Sequence, residues 1–330
     1  MKTNEVSMAA PMTPNILFGV RRPSRSAVIC GVVGLLTVAG LLYAVVGGLI
    51  DGRKVALGRE WTALERVSID DIDHRAWDDL LQRYVDEAGD VDYSAWKETT
   101  TDVHALDAYL DQLSRAEPDV EASRAARLSY WINAYNALTV RGILREYPTT
   151  SIQNHAARLW GYNIWRDVLL RVGNKKYSLG QIEHESLRPM HEPRIHFAIV
   201  CASRGCPRLL NHAYEPRNLE RQLDENSRAF FADPEKLQYD PATAQLYLSP
   251  ILKWYAGDFG QTQSERLKTI APYLPEGVSD RLSGAGLRVT YLDYDWSLND
   301  QAGDPSTPPL PPDLAPAEFD APVARTSDFP

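Results

Sequence analysis

Residues able to do covalent or acid–base chemistry gather in the middle of this 330-residue chain. Ile182-Glu183-His184-Glu185 offers an imidazole between two carboxylates. A little further on, Arg194-Ile195-His196-Phe197-Ala198-Ile199-Val200-Cys201-Ala202-Ser203-Arg204-Gly205-Cys206-Pro207 holds another histidine and two of the three cysteines. A cysteine becomes a nucleophile when a base or cation lowers its pKa from about 8.5 and a third group orients that base. Cys201 fits the nucleophile, His196 or His184 the base, and Glu183 or Asn133 the orienting group, a set suited to thiol-dependent hydrolysis or acyl transfer. His196 and Cys201 are five residues apart, so an uninterrupted strand points them to opposite faces. The pair works only if the strand breaks before Cys201, or if His184 is the partner.

Two other chemistries use the same residues. In an oxidising compartment a Cys201–Cys206 disulfide would pin the turn before Pro207, and the domain would be a non-enzymatic binding or scaffold module of the cell envelope. That is the reading the sequence favours. His184, His191, His196, His212, Cys201, Cys206 and Glu183 supply enough donors for a metal-binding alternative. Neither His-Glu-x-x-His nor paired Cys-x-x-Cys spacing is present, so no metal site and no cofactor is assigned.

The elements that must position these groups follow from periodicity. Arg194–Val200 reads as a buried strand delivering side chains to a loop. Ser123 to Glu146 reads as a long helix stopped by Tyr147-Pro148. Its middle, Tyr130-Trp131-Ile132-Asn133-Ala134-Tyr135-Asn136-Ala137-Leu138, places two poor helix formers in an apolar run. Such amides either hold a loop or ligand or satisfy nearby backbone groups. Asp167–Val172 and Lys175–Tyr177 flank Gly173-Asn174 as a hairpin. Ser178 then caps a helix, with Gln181 in capping-box spacing. Leu179, Ile182 and Leu187 mark its buried stripe, and Glu183 shares it. An inward carboxylate must be paired, with Arg188 and Arg194 as candidates, or carry a raised pKa. Helices are also expected at Trp77–Val85, Val103–Leu113, Asn218–Ala232, Ile251–Tyr255 (closed by Gly257) and Thr262–Leu274. Strands are expected at Gln245–Ser249 and Leu287–Tyr294.

The whole chain divides into a polar tail (1–26), an apolar run (27–50), a linker (51–73), one α+β globular domain (74–300) and a disordered tail (301–330) with eight prolines. Ala27 to Ile50 carries no charge for 24 residues. As a helix it spans about 36 Å, enough to cross a hydrocarbon core of about 30 Å. The expectation is a single transmembrane helix, with the membrane as partner through residues 27–50. Lys2, Arg21, Arg22 and Arg25 precede the run and Arg53, Lys54 and Arg59 follow it. That balance favours an extracytoplasmic (periplasmic) main domain. A formal net charge of −9 argues against nucleic acid, which demands clustered Lys and Arg. No particular protein or small-molecule partner is indicated.

Several of these segments resemble one family. The Tyr130–Leu138 stretch, Ser178-Leu179…Ile182-Glu183-His184 and His196-Phe197-Ala198…Cys201-Ala202-Ser203…Cys206-Pro207 are similar to the domain of unknown function 547. Trp254-Tyr255…Asp258-Phe259 and Tyr294-Asp295-Trp296-Ser297-Leu298-Asn299 fit as well, so the resemblance covers roughly residues 75–300. It implies no particular activity. Bacterial members often carry an N-terminal export signal or anchor, which agrees with the placement outside the cytoplasm.

Overall fold

The computed structural model describes residues 54–156, 162–282 and 287–302. The tail 1–26, the apolar run 27–50 and nearly all of the Pro-rich segment 301–330 lie outside those residues. Among the described ones, no helix is long and apolar enough to cross a membrane.

Residues 55–73, expected as linker, belong to the fold. Strand β1 (Val55–Leu57) pairs in parallel with β2, with Val55 opposite Val168. Ile69 and Ile72 are buried in the core. A three-residue strand whose partner lies more than a hundred positions away leaves no periodicity to read, so the domain boundary at residue 74 is too late.

Four helices follow. Helix α1 (Arg75–Tyr84) buries Trp77, Leu80, Leu81 and Tyr84, the i, i+3, i+4, i+7 stripe of a half-buried helix. After the Ala88-Gly89-Asp90 turn come α2 (Tyr93–Glu98) and α3 (Thr100–Leu113). Gly89 has φ +90°, and a Cβ there would stand 2.6 Å from the Leu209 backbone nitrogen. Helix α4 (Arg124–Glu146) begins as expected, with the Ser123 hydroxyl accepting from the Ala126 N–H. It stops before Pro148, whose ring disfavours helical geometry in the preceding residue. From Leu128 to Val140 every residue of α4 is buried. A helix apolar on all sides must be the centre of the core.

The hairpin forms as read: β2 (Val168–Val172) and β3 (Lys175–Ser178) pair antiparallel, with Val172 opposite Lys175 across Gly173-Asn174. Ser178 ends β3 and makes the capping box with Gln181. The helical turn Leu179–Gln181 then widens into a π-helix over Ile182–Leu187. Helix α5 (Leu219–Ala232) leads to a second small sheet. There β4 (Leu237–Asp240), which the sequence did not reveal, pairs antiparallel with β5 (Gln245–Leu248), and β5 pairs in parallel with β6 (Arg288–Tyr291). Between β5 and β6, the turns Ile251–Trp254 and Ala256–Phe259 run on past Gly257 and end at Gly260, whose φ is +149°. Helix α6 (Gln263–Ile270) follows, capped by Thr262 and Glu265. The fold is mixed α+β with two small sheets.

The Arg194–Val200 segment is not a strand. Pro193 starts a 3-10 helix over Pro193–Phe197, with the Glu192 side chain accepting from the Arg194 N–H. An irregular stretch then runs to Cys201 without a neighbouring strand. The Ala198 and Ile199 N–H groups bond the Ile195 carbonyl, and side-chain amides satisfy other buried backbone groups. Asn136 donates to the Ala198 carbonyl (2.9 Å) and accepts from the Val200 N–H (2.9 Å). Asn226 donates to the Phe197 carbonyl (2.6 Å). The apolar run signals burial correctly, but periodicity cannot distinguish a ladder partner from an asparagine.

Two apolar clusters result. The larger surrounds α4 and includes Trp77, Tyr84, Trp96 and Tyr109; the smaller gathers Phe197, Phe230, Phe231 and Phe259 with Leu246 and Leu248.

Candidate active site in a cleft between the two clusters

Between these clusters lies a cleft of about 780 Å³, within the range of small-ligand sites. Its lining includes Glu183, His184, His196, Cys201 and Cys206. Four of the five candidate site residues therefore converge. Asn133 is the exception: its amide donates to the Tyr214 carbonyl (2.8 Å) and accepts from the Tyr214 N–H (2.9 Å), deep in the core. It acts as a backbone clamp like Asn136, and both its polar atoms are occupied.

Glu183 projects from the π-helix into the cleft. Its Oε1 is buried with no partner. Neither arginine anticipated as its ion-pair partner takes that place. Arg188 makes a bidentate pair with Asp258 (2.7 and 3.0 Å), and Arg194 binds Glu192, Glu220 and Asp224. Burial pushes the Glu183 carboxyl up from the usual carboxylate range, against the weaker pull of His184, Tyr255 and Arg188.

The histidines are built into a charged network. His196 Nε2 lies 2.7 Å from Asp258 Oδ2, and its ring stacks on Tyr255 with centroids 4.0 Å apart. Burial pulls the His196 imidazole down despite that carboxylate. The ring is then neutral, donating from Nε2 to Asp258. Asp258 is itself held far below the usual range: burial would raise it, but hydrogen bonds from His196 and Arg188 outweigh burial. His184 Nδ1 accepts from Arg188 (3.0 Å). Among the described residues, neither imidazole hydrogen-bonds a cysteine.

The sulfurs have other partners. Cys201 and Cys206 are free thiols whose Sγ atoms lie 2.6 Å apart. Cys206 Sγ accepts from the Cys201 N–H (3.0 Å) and the Tyr294 hydroxyl (3.1 Å). Ser203 Oγ sits 3.2 Å from Cys201 Sγ and 2.9 Å from the Tyr294 hydroxyl. Burial would raise Cys206, yet hydrogen bonds from the Cys201 thiol first, and then from Ser203, Tyr294 and the Cys201 N–H, bring it down to about 6. Cys201 is pushed up, first by its hydrogen bond to Cys206 and then by burial. The two thiols titrate as a pair: the first thiolate forms more easily than the second, because the remaining thiol proton then bridges the sulfurs.

A strap made of Asp295–Asn299 gives the thiol loop its shape. The Arg204 N–H donates to the Ser297 carbonyl (2.9 Å) and the Gly205 N–H to the Asp295 carbonyl (2.7 Å). On its other edge the strap meets Thr150 and Ser151. Ala202, between Cys201 and Ser203, takes φ +62°, a left-handed conformation that costs a non-glycine residue roughly 1 kcal/mol or more. The same strap brings Tyr294 and Trp296 to the cleft, where they pack with Trp254 (Tyr294–Trp296 centroids 4.5 Å, Tyr294–Trp254 4.8 Å).

The sequence reading missed Tyr255, Asp258, Ser203 and Tyr294 as site residues. Three of the four stand in the Trp254–Phe259 and Tyr294–Asn299 stretches already noted for their resemblance, so the signal was present. Of the donors named for a metal, His212 lies apart, against Asp78 and Gln82. Among the described residues no group of three or more His, Cys, Asp or Glu could hold a metal ion.

Fold and site thus define an α+β domain whose cleft joins a buried acid, a His–Asp–Arg network and a pair of adjacent thiols. Residues 120–231 match the family described as "Protein of unknown function, DUF547", and over that segment the chain is similar to this family. The matched segment contains α4, the Ser178–His184 turn and the thiol loop. Comparison with curated proteins and with solved structures gave no match.

Proposed function

We propose that the cleft is a binding site for an organic ligand with an apolar, flat body and one N–H donor, an ammonium or an amide. The domain would be held at the membrane by residues 27–50 and face the extracytoplasmic side. The observation that carries the binding reading is the Glu183 Oε1, buried at the cleft without a partner. Leaving such an atom unsatisfied costs about 1–3 kcal/mol, and a ligand donor would recover that cost on arrival. The walls suit the rest of the ligand, because Trp165, Trp254 and Trp296 line the cleft with large apolar surface. The anchoring rests on the 24 uncharged residues of the sequence.

The test is a screen of the full-length protein with a chemically diverse library, read by tryptophan fluorescence and thermal shift. Compounds carrying an amine or amide are expected among the binders. Glu183→Gln keeps the side chain's size and should leave stability within about 1 kcal/mol, while weakening binders that use an ammonium about tenfold, the equivalent of one lost charge-assisted hydrogen bond. Ammonium binders whose affinity ignores the substitution, or a library without binders, would remove the reading.

A further inference from the structure

We propose that Cys201 and Cys206 form a thiol–disulfide exchange centre. Cys201 is the sulfur that meets thiols and disulfides in the cleft, and Cys206 is the sulfur that leaves as thiolate and returns. This does not depend on Glu183 or on the ligand proposed above.

Three observations lead to it. Both residues line the cleft, and they differ in exposure: Cys206 is buried, whereas Cys201 is only partly buried. The donors differ as well. Cys206 Sγ takes the Cys201 N–H (3.0 Å) and the nearer approach of the Tyr294 hydroxyl (3.1 Å), whereas Cys201 Sγ has Ser203 Oγ (3.2 Å) and Tyr294 at 3.5 Å; the backbone N–H, which only donates, builds a cradle for negative charge on Cys206. A crosslink with a purely structural role has no use for such a cradle; a leaving group does, since a better-stabilised thiolate leaves faster. Finally, the strap and the left-handed Ala202 hold the two sulfurs adjacent while both are free thiols, so the bridge can form and open without rebuilding the loop.

In the bridged state, a substrate thiolate attacks Cys201 Sγ. The Cys201–Cys206 bond breaks, and its electron pair leaves on Cys206 into the cradle. A second substrate thiolate attacks the substrate sulfur of the mixed disulfide, forming the substrate disulfide and releasing Cys201 as a thiolate, which takes up a proton. Two thiols are oxidised to one disulfide, and the protein bridge is reduced to two cysteines. In the reverse direction a substrate disulfide is reduced and the bridge is remade. Low-molecular-weight thiols and peptide cysteines are the substrate class that a cleft of this size admits.

The test uses the full-length protein in buffers of reduced and oxidised glutathione, quenched with acid and read by differential alkylation and peptide mass analysis, which separates this pair from Cys30. A reversible two-electron transition confined to Cys201 and Cys206, with the fold retained by circular dichroism, is expected. Cys206→Ser should trap glutathione on Cys201, and Cys201→Ser should trap about tenfold less on Cys206. Tyr294→Phe keeps the ring and removes one donor. It should lower the thiolate ultraviolet absorbance at neutral pH and slow reduction of the bridge, because a thiolate with a higher pKa leaves more slowly. A bridge that opens only on unfolding, thiols that never form a mixed disulfide, equal trapping on both sulfurs, or an unchanged rate in Tyr294→Phe would each overturn the proposal.

Discussion

At His74 the cost of burial exceeds what the nearby acids return. Its imidazole is pulled down to about 4, first by burial, with Asp73 and Glu215 opposing. Nδ1 lies 2.7 Å from the Tyr109 hydroxyl, which suits a neutral ring accepting a hydrogen bond. Between that value and about 6.5 the unfolded chain binds a proton that the folded protein refuses. Stability is therefore full above pH 6.5 and falls as pH drops toward 4, by about 3 kcal/mol from this residue. Urea unfolding at a series of pH values should show that slope, and His74→Leu should flatten it; a parallel slope in the variant would assign the acid sensitivity elsewhere. The roles of Glu183 and the asparagines show how far single residues can be read from sequence. An acid on an apolar stripe, and two amides inside an apolar helix, are anomalies that mark burial at once. Their partners are not legible. Asn136 finds the Ala198 and Val200 backbone and Asn133 finds Tyr214, and such pairings depend on packing between elements far apart in the chain.

Among elements, the strap of residues 295–299 has the greatest effect on the site. Gly205 passes so close beneath it that a Cβ would stand 2.7 Å from the Asp295 carbonyl oxygen and 2.8 Å from the Tyr294 ring. Gly205→Ala must therefore move the strap, and Tyr294 with it. The expected cost is about 1–3 kcal/mol of stability, together with slower alkylation of the thiol pair near neutral pH as the Tyr294 hydroxyl leaves Cys206. Urea unfolding and timed alkylation measure the two effects separately, and a variant unchanged in both would show that the contact yields. Elements with strong local signals matched the sequence reading, among them the Ser123–Glu146 helix, the Gly173-Asn174 hairpin and the Ser178–Gln181 capping box. The elements that eluded it were short or non-local. Strand β4 has four residues, β1 has three, and Pro193–Phe197 coils where apolar residues suggested a strand.

For the molecule as a whole, the boundary near residue 54 has an energetic consequence. A chain lacking residues 1–73 loses β1 and uncovers the surface against which Ile69 and Ile72 pack. Burying an isoleucine contributes roughly 1.5–3 kcal/mol, so the loss is about 3–6 kcal/mol, a large share of a typical domain's 5–15 kcal/mol. A version beginning at Lys54 is expected to unfold cooperatively in urea and resist limited proteolysis, whereas one beginning at His74 should be cleaved readily; equal resistance would return residues 54–73 to the role of a linker.

The strap also sets an order of events during synthesis. The thiol loop is translated some ninety residues before Asp295–Asn299, the segment that satisfies its Arg204 and Gly205 N–H groups. On the ribosome, Cys201 and Cys206 emerge into a loop that has neither its backbone partners nor Tyr294. The sulfurs acquire their cradle only when the final stretch of the domain has left the exit tunnel. Vectorial translation thus keeps the pair ordinary for most of the chain's elongation and tunes it at the last step. Nascent chains arrested before Tyr294 should show two cysteines with the alkylation rates of unstructured peptide thiols.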